Sequence, residues 1–190
     1  MKLSFASLAV AGLLLSGCAS APIKFYILGA PAIATATSPL NATTSVLLVD
    51  PILLPDYLDS QDMLVRHGDL LDRSTNGRWG SRLSRGMTDL VTAKLSQIWP
   101  TVFVTSHASS STPGTRLNIN VTRLDIATDG QGTLEADWSF IPSDEQKPVT
   151  HHRASFTAHG PIATDAENVA LTRELVEQLS AAIGASTPSF

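Results

Sequence analysis

The chain has 190 residues, of which 43% are hydrophobic, and its 17 acidic and 13 basic side chains give a formal net charge of −4. This negative balance argues against a nucleic-acid-binding protein, whose affinity would come mainly from neutralising phosphates. The single cysteine excludes a disulfide framework and a multi-cysteine metal site, and the hydrophobic content predicts a folded chain of one domain.

The first residues have the pattern of a bacterial lipoprotein signal peptide. One positive charge at Lys2 precedes the apolar run 5–15, and Leu15-Ser16-Gly17-Cys18 is typical of a lipoprotein processing site. The run is too short to span a bilayer, which needs about 20 apolar residues. We therefore expect residues 1–17 to be removed and Cys18 to be acylated. An ordinary secretory signal is the alternative, but it does not explain why a cysteine follows Leu-Ser-Gly.

Residues 18–24 are predicted to form the lipidated N-terminus and a short tether. When fully extended, residues 19–24 could hold the following domain at most about 20 Å from the membrane. Ala19 follows the cysteine where an aspartate commonly retains a lipoprotein in the inner membrane, so the sequence favours the outer membrane. The covalent lipid on Cys18 is the only bound group that we expect, and no cofactor is predicted.

Eight segments have the composition or the alternation of β-strands. They are residues 25–28, 46–50, 62–66, 69–73, 101–105, 116–127, 133–141 and 149–158. The Ala- and Thr-rich residues 29–45 predict a loop. The continuous apolar run 46–50 predicts a central strand that is buried on both faces, and His67-Gly68 lies in the turn of a predicted hairpin.

The last three strands predict an antiparallel meander. In residues 116–127 the apolar positions change face, which predicts a bulge or a sharp twist near Thr122-Arg123. In residues 133–141 the strict alternation of apolar and polar positions predicts a half-buried strand.

Two amphipathic helices complete the prediction. The first has apolar residues at helical spacing from Leu83 to Ile98 and is stopped by Pro100. The second begins at Thr164, which forms a capping box with Glu167, and is expected to end at Gly184. The predicted fold is α/β: a single domain over residues 25–184, with a mixed, largely antiparallel sheet and two main helices, followed by the tail 185–190.

The sequence gives little support for an enzyme. It has no phosphate-binding glycine loop with the P-loop spacing and no Gly-x-Ser-x-Gly elbow. His151, His152 and His159 are the best candidate metal ligands, but His151 and His152 would point to opposite faces of a strand. We therefore favour surface histidines and predict no catalytic activity.

Five of the nine arginines lie within twenty residues, beside Trp79. They are Arg66, Arg73, Arg78, Arg82 and Arg85. One interpretation is a docking surface for an acidic partner or for lipid headgroups, because arginine and tryptophan are favoured at the centres of interfaces. The other is that the arginines pair with Asp69, Asp72 and Asp89 while Trp79 lies in the core. The sequence leaves both interpretations open.

Several short motifs occur together in a specific order. Phe25-Tyr26-Ile27-Leu28 follows the processing site, Pro55-Asp56-Tyr57-Leu58 precedes Met63-Leu64-Val65-Arg66, and Arg78-Trp79 precedes the first helix. In this order the chain resembles the PqiC-like lipoproteins, also described as ABC-type transport auxiliary lipoproteins.

The resemblance implies a non-enzymatic outer-membrane lipoprotein that faces the periplasm. Such a protein would work with an MCE-domain protein and an inner-membrane transport complex to move lipids between the membranes and to maintain envelope integrity, and a homo-oligomer is expected. Tyr57, Arg66, Arg78 and Trp79 match the family pattern and, with Arg82, are the candidate docking residues. The alternatives are a lipid-binding carrier, a purely structural envelope lipoprotein and an anchored hydrolase.

Overall fold

The computed structural model describes residues 21–29, 44–107 and 113–186, which form eight strands and two long helices. In chain order these elements are β1 Lys24–Tyr26, β2 Val46–Val49, β3 Asp62–His67, β4 Leu70–Trp79, α1 Leu83–Ile98, β5 Phe103–Thr105, β6 Thr115–Ile126, β7 Gln131–Pro142, β8 Thr150–His159 and α2 Asp165–Ala185. The predicted α/β fold class is therefore confirmed. The predicted signal peptide, Cys18, most of the 29–45 loop and the end of the tail lie outside the described residues.

The strands form two sheets, a division that the sequence analysis did not predict. The smaller sheet has the order β1-β4-β3, with β1 parallel to β4 and the β3–β4 hairpin antiparallel. The larger sheet has the order β5-β2-β6-β7-β8. In it, β2 is parallel to both neighbours and β6, β7 and β8 form the predicted antiparallel meander. A single parallel bridge between Arg66 and Ala127 joins β3 to the end of β6.

The two helices lie against each other and cover one face of the larger sheet, where α2 packs on β7 and β8 and α1 packs on β5. The core between them contains the inward side chains of the strands and the apolar stripes of both helices, including Leu117, Leu134, Phe140, Leu95 and Leu179. The opposite face of the larger sheet carries exposed polar residues at alternate positions. None of the helices in the described residues is long and apolar enough to cross a membrane.

Two local predictions are confirmed in detail. The β6–β7 register shifts between Val121 and Arg123, so the extra residue allows apolar side chains on both sides of the bulge to face the core. At the start of α2, the Thr164 hydroxyl accepts from the backbone amide of Glu167, and the Glu167 carboxylate accepts from the Thr164 amide at 2.8 Å. This is the reciprocal geometry of a capping box.

The predicted role of Gly184 as the end of the second helix is wrong. The helix continues to Ala185 and ends at Ser186, and Gly184 is buried within its last turn. A methyl group at Gly184 would lie 2.7 Å from Cδ1 of Ile98 at the end of α1. Glycine is therefore present because the two helices approach closely here, and a helix-ending glycine and a packing glycine look alike in sequence.

Two glycines with positive φ form the tight turns of the fold. Gly68, with φ +61°, lies in the β3–β4 hairpin and has open space around it. Gly130, with φ +84°, lies between β6 and β7, where its carbonyl accepts from the amide of Gly160 at 3.0 Å. A side chain at Gly130 would overlap the carbonyl oxygen of Gly160, so this turn is restricted both by its conformation and by its packing.

Candidate docking surface

The five clustered arginines are ion-paired in the described structure. The pairs are Arg66–Asp125 at 2.8 Å, Arg73–Asp62 at 3.6 Å, Arg78–Asp62 at 3.4 Å, Arg82–Asp59 at 3.5 Å and Arg85–Asp89 at 3.4 Å. Of the three aspartates proposed as partners from the sequence, only Asp89 pairs with one of these arginines in the described residues. The cluster is therefore a set of local pairs and not a continuous positive surface.

Arg66 and Asp125 connect the two sheets. Asp125, on β6, is only 6% exposed, and its second carboxylate oxygen accepts from Nε of Arg123 at 2.6 Å. Burial alone would raise the pKa of Asp125, but the contacts with the positively charged Arg66 and Arg123 outweigh burial and hold the pKa below its ordinary value. The Asp125 carboxylate in turn raises the pKa of Arg66, with a smaller contribution from the Tyr57 side chain.

Tyr57 lies close enough to Arg66 for its side chain to affect the pKa of the guanidinium. Tyr57 is exposed in the turn before β3, next to the buried Leu58, and contributes to the electrostatic environment of Arg66. Because Arg66 spans from one sheet to the other, its matched position in the sequence motif is explained by the geometry of the fold. A docking role for either residue stays a prediction.

The turn before β3 is also fastened to the start of α1. The N-cap residue Arg82 makes no side-chain capping bond, and its guanidinium donates instead to the backbone carbonyl of Asp59 at 2.8 Å. The Asp59 carboxylate accepts from the Ser84 hydroxyl at 2.6 Å. Asp59 thus places a negative charge at the positive end of the helix dipole. The first turn of α1 contains no acidic residue that could supply this charge.

A groove of about 200 Å³ lies between the end of β1 and the first turns of α1. Its floor is apolar and includes Tyr26, Leu28 and the buried Trp79, while Arg82 and Asp89 stand among its lining residues. We call it the β1–α1 groove. The Arg173 guanidinium of α2 donates to the carbonyl of Leu28, which fixes the chain that forms one wall.

The candidate docking residues are therefore divided among three places. Trp79 and Arg82 belong to the β1–α1 groove, and Tyr57 and Arg66 belong to the connection between the sheets. Arg78 is half-buried on β4, where its guanidinium donates to the carbonyls of Ser74 and Gly77 at 2.7 and 2.6 Å. The sequence analysis missed Tyr26 and Leu28 as groove residues, because it predicted residues 25–28 as one apolar strand and did not separate its two sides.

The first strand is shorter than predicted, and one side of it faces solvent. Ile23, Phe25 and Ile27 are 57%, 67% and 70% exposed, whereas Tyr26 and Leu28 point inward. We call these three exposed residues the apolar strip. Five of the six side chains in Ile23-Lys24-Phe25-Tyr26-Ile27-Leu28 are apolar or aromatic, so the sequence does not distinguish the exposed side of this segment from the buried one.

The candidate metal ligands do not come together in the described residues, where no group of three or more His, Cys, Asp or Glu side chains could hold a metal ion. His151 is exposed and shares a 2.7 Å hydrogen bond with the Ser139 hydroxyl. His152 lies on the other face of β8, as predicted, and stacks on Trp138 with ring centres 5.4 Å apart.

Comparison with known proteins identifies relatives of this fold. Residues 26–184 match the family model described as the ABC-type transport auxiliary lipoprotein component. A crystal structure of an uncharacterised protein superposes with a TM-score of 0.72 at 19% identity, covering 87% of this chain and 99% of that one. A protein from Xanthomonas campestris superposes with a TM-score of 0.61 at 17% identity, covering 84% and 92%. No curated protein matches the sequence.

Proposed function

The chain belongs to the ABC-type transport auxiliary lipoprotein family, and from this premise we propose that it is the outer-membrane component of an intermembrane lipid transport system, where it docks an MCE-domain protein. The family match is the observation that carries the proposal, since it extends over both helices and both sheets. It makes the protein a transport-associated lipoprotein. The MCE partner, the transported lipid and the outer membrane are our proposals.

In this proposal the acylated Cys18 holds the domain beneath the outer membrane. Each buried methylene of an acyl chain contributes about 0.8 kcal/mol, so two or three chains make detachment negligible. The short tether then limits the domain to about 20 Å from the lipid surface. Ala19 is the residue in this segment that favours the outer over the inner membrane.

The β1–α1 groove is the docking site that we propose for the partner. An apolar floor that includes Trp79 can receive an apolar side chain, and Arg82, which stays 70% exposed while it contacts Asp59, can also contact an acidic residue of the partner. One such contact is weak, but several copies in a homo-oligomer would engage a symmetric partner with high avidity. The protein would act by binding and positioning, without catalysis.

Site-specific photocrosslinking in intact cells tests the partner. A photoreactive phenylalanine analogue replaces Arg82 at the groove, and the matched control places it at Val149, an exposed residue before β8. We expect the MCE protein to be captured from position 82 and not from position 149. If neither position captures it while both proteins are shown to be expressed, the MCE partnership is wrong.

Membrane fractionation with palmitate labelling tests the anchor and the membrane separately from the partner. Cys18→Ala should abolish the label, and Ala19→Asp should keep the label but move the protein to the inner-membrane fraction. A wild-type protein that carries no label and is found in the periplasmic extract would contradict the anchor.

A further inference from the structure

The apolar strip has no partner that would explain its composition within the described residues. β1 is an edge strand of the smaller sheet, and the strip occupies its outward side. Lys24, between Ile23 and Phe25 in the sequence, is exposed as well, so a cationic side chain lies on the same segment as the strip. Three large exposed apolar residues at alternate positions form a patch that is rare on a soluble surface without a role in binding.

The position of the strip in the chain identifies the surface that it can reach. Ile23 is only five residues after the predicted acylated Cys18, so it lies at most about 18 Å along the chain from the acyl group. Because β1 is parallel to β4, the N-terminal end of β1 points towards the end of the smaller sheet that carries the β3–β4 hairpin turn. Leu70, beside that turn, is another exposed apolar residue at 67%.

We propose that the apolar strip rests against the lipid bilayer and forms a second, non-covalent contact that fixes the orientation of the domain. Lipid is the occupant that the tether guarantees, because the anchor holds a bilayer within reach of these residues at all times. Aliphatic and aromatic side chains beside cationic groups are the combination favoured at the interface between headgroups and acyl chains. The acyl chains retain the protein, and the strip determines which side faces the membrane.

This inference rests on the acylation of Cys18 in the proposed function, but not on the identity of the transport partner. If the protein had no MCE partner, the strip would still face the bilayer. The photocrosslinking at Arg82 and the measurement below can therefore fail independently.

Depth-dependent quenching on the mature, acylated protein tests the contact. In that protein the sulfur of Cys18 is blocked and no other cysteine exists, so Phe25→Cys introduces a unique thiol for an environment-sensitive NBD label. The protein is reconstituted into phosphatidylethanolamine and phosphatidylglycerol vesicles, with and without lipids that carry a nitroxide near the headgroup. The matched control is Leu53→Cys, which is 64% exposed next to the uncovered face of the larger sheet.

We expect the label at position 25 to shift to the blue and to be quenched at least about threefold more strongly than the label at position 53. Combining Phe25→Cys with Ile23→Ser and Ile27→Ser should remove most of that difference, because the neighbouring apolar contacts are lost. Far-ultraviolet circular dichroism then confirms that the variant is folded.

Three results would overturn the proposal. Equal quenching at positions 25 and 53 would show that the strip does not face lipid. A blue shift at position 25 without nitroxide quenching would assign the strip to a second copy or to another part of the same chain, and bismaleimide crosslinking through position 25 would distinguish these two. Loss of all variants from the vesicles, together with absent palmitate label, would reject the anchor and the strip together.

Discussion

Asp125→Ala is the substitution that should most clearly separate structural from docking roles among the clustered arginines. It removes the carboxylate that contacts Arg66 at 2.8 Å and Arg123 at 2.6 Å. Loss of one partner of a buried ion pair costs about 3–5 kcal/mol, because the remaining charge stays in a poorly solvated place. The side chains of Arg66 and Arg123 are 27% and 49% exposed and can regain some water, so we expect a loss of about 2–3 kcal/mol.

Urea unfolding followed by circular dichroism measures this loss. With a denaturant slope of about 2 kcal/mol per molar, the transition midpoint should fall by about 1–1.5 M. The control is Asp137→Ala, which removes a carboxylate paired with the highly exposed Arg153 on the uncovered sheet face. A surface pair contributes about 0–1 kcal/mol, so its midpoint should move by less than about 0.5 M.

A double variant, Arg66→Met with Asp125→Leu, isolates the cause. Replacement of Arg66 and Asp125 by apolar residues leaves neither of these two unpaired, and Arg123 keeps its ion pair with Glu135 at 3.6 Å, so the double variant should recover most of the lost stability. If Asp125→Ala shifted the midpoint no more than Asp137→Ala, the connection between the sheets would not contribute as we argue. Arg66 would then be better explained by a role at the surface.

The same pair predicts a dependence on pH. The arginines hold the pKa of Asp125 in the folded protein below the ordinary value, which is about 3.9. A carboxylate with a lowered pKa contributes stability above its unfolded-state pKa, and this contribution is lost as the pH falls through the folded-state pKa. The difference in unfolding free energy between wild type and Asp125→Ala should therefore be constant from about pH 7 to about pH 5 and shrink below about pH 4. A difference that has vanished by about pH 5 would contradict this cause.

Four further substitutions test the local structure by thermal or urea unfolding. Gly68→Ala should cost about 1–2 kcal/mol for its positive φ alone, whereas Gly130→Ala should cost at least about 1 kcal/mol more because of steric overlap; equal losses would show that the overlap relaxes. Thr164→Ala removes the capping box and should cost about 1 kcal/mol, and an unchanged melting temperature would mean that the cap adds nothing. Thr88→Val leaves the amide of Ile52 without the hydroxyl that accepts its hydrogen bond at 3.0 Å, so a loss of about 1–3 kcal/mol is expected; a neutral result would indicate that another acceptor replaces the hydroxyl.

The features that were predictable from sequence are those set by neighbouring residues. The capping box at Thr164 depends on a spacing of three residues, and the bulge in β6 depends on a change of face within one strand. Both helices were predicted because apolar residues recur at helical spacing along each segment. In each case the residues within a single helix or strand are enough to predict the feature.

The features that were missed depend on contacts between distant parts of the chain. Arg66 pairs with Asp125, an aspartate on another sheet, and not with the nearby Asp69 or Asp72 proposed from the sequence. Gly184 is required by Ile98 of the other helix. The sequence analysis predicted a strand at Phe25 but not which side of it is exposed, because that depends on the neighbouring strand and helix. No local rule determines which elements come together, so these partners could not be inferred.

The apolar strip and the β1–α1 groove meet at Ile27, which is the last residue of the strip and also lines the groove. In the proposed arrangement, the short tether limits the distance of the domain from the membrane but does not by itself determine its rotation. A second contact along the strip would remove this rotational freedom before any partner binds. The free-energy cost of orienting the domain during docking would then be smaller. The groove would then open close to the lipid headgroups, so a partner that occupies it would have its end at the bilayer surface. For transfer of a lipid this arrangement is favourable, because the distance over which an acyl chain is exposed to water is shortest there.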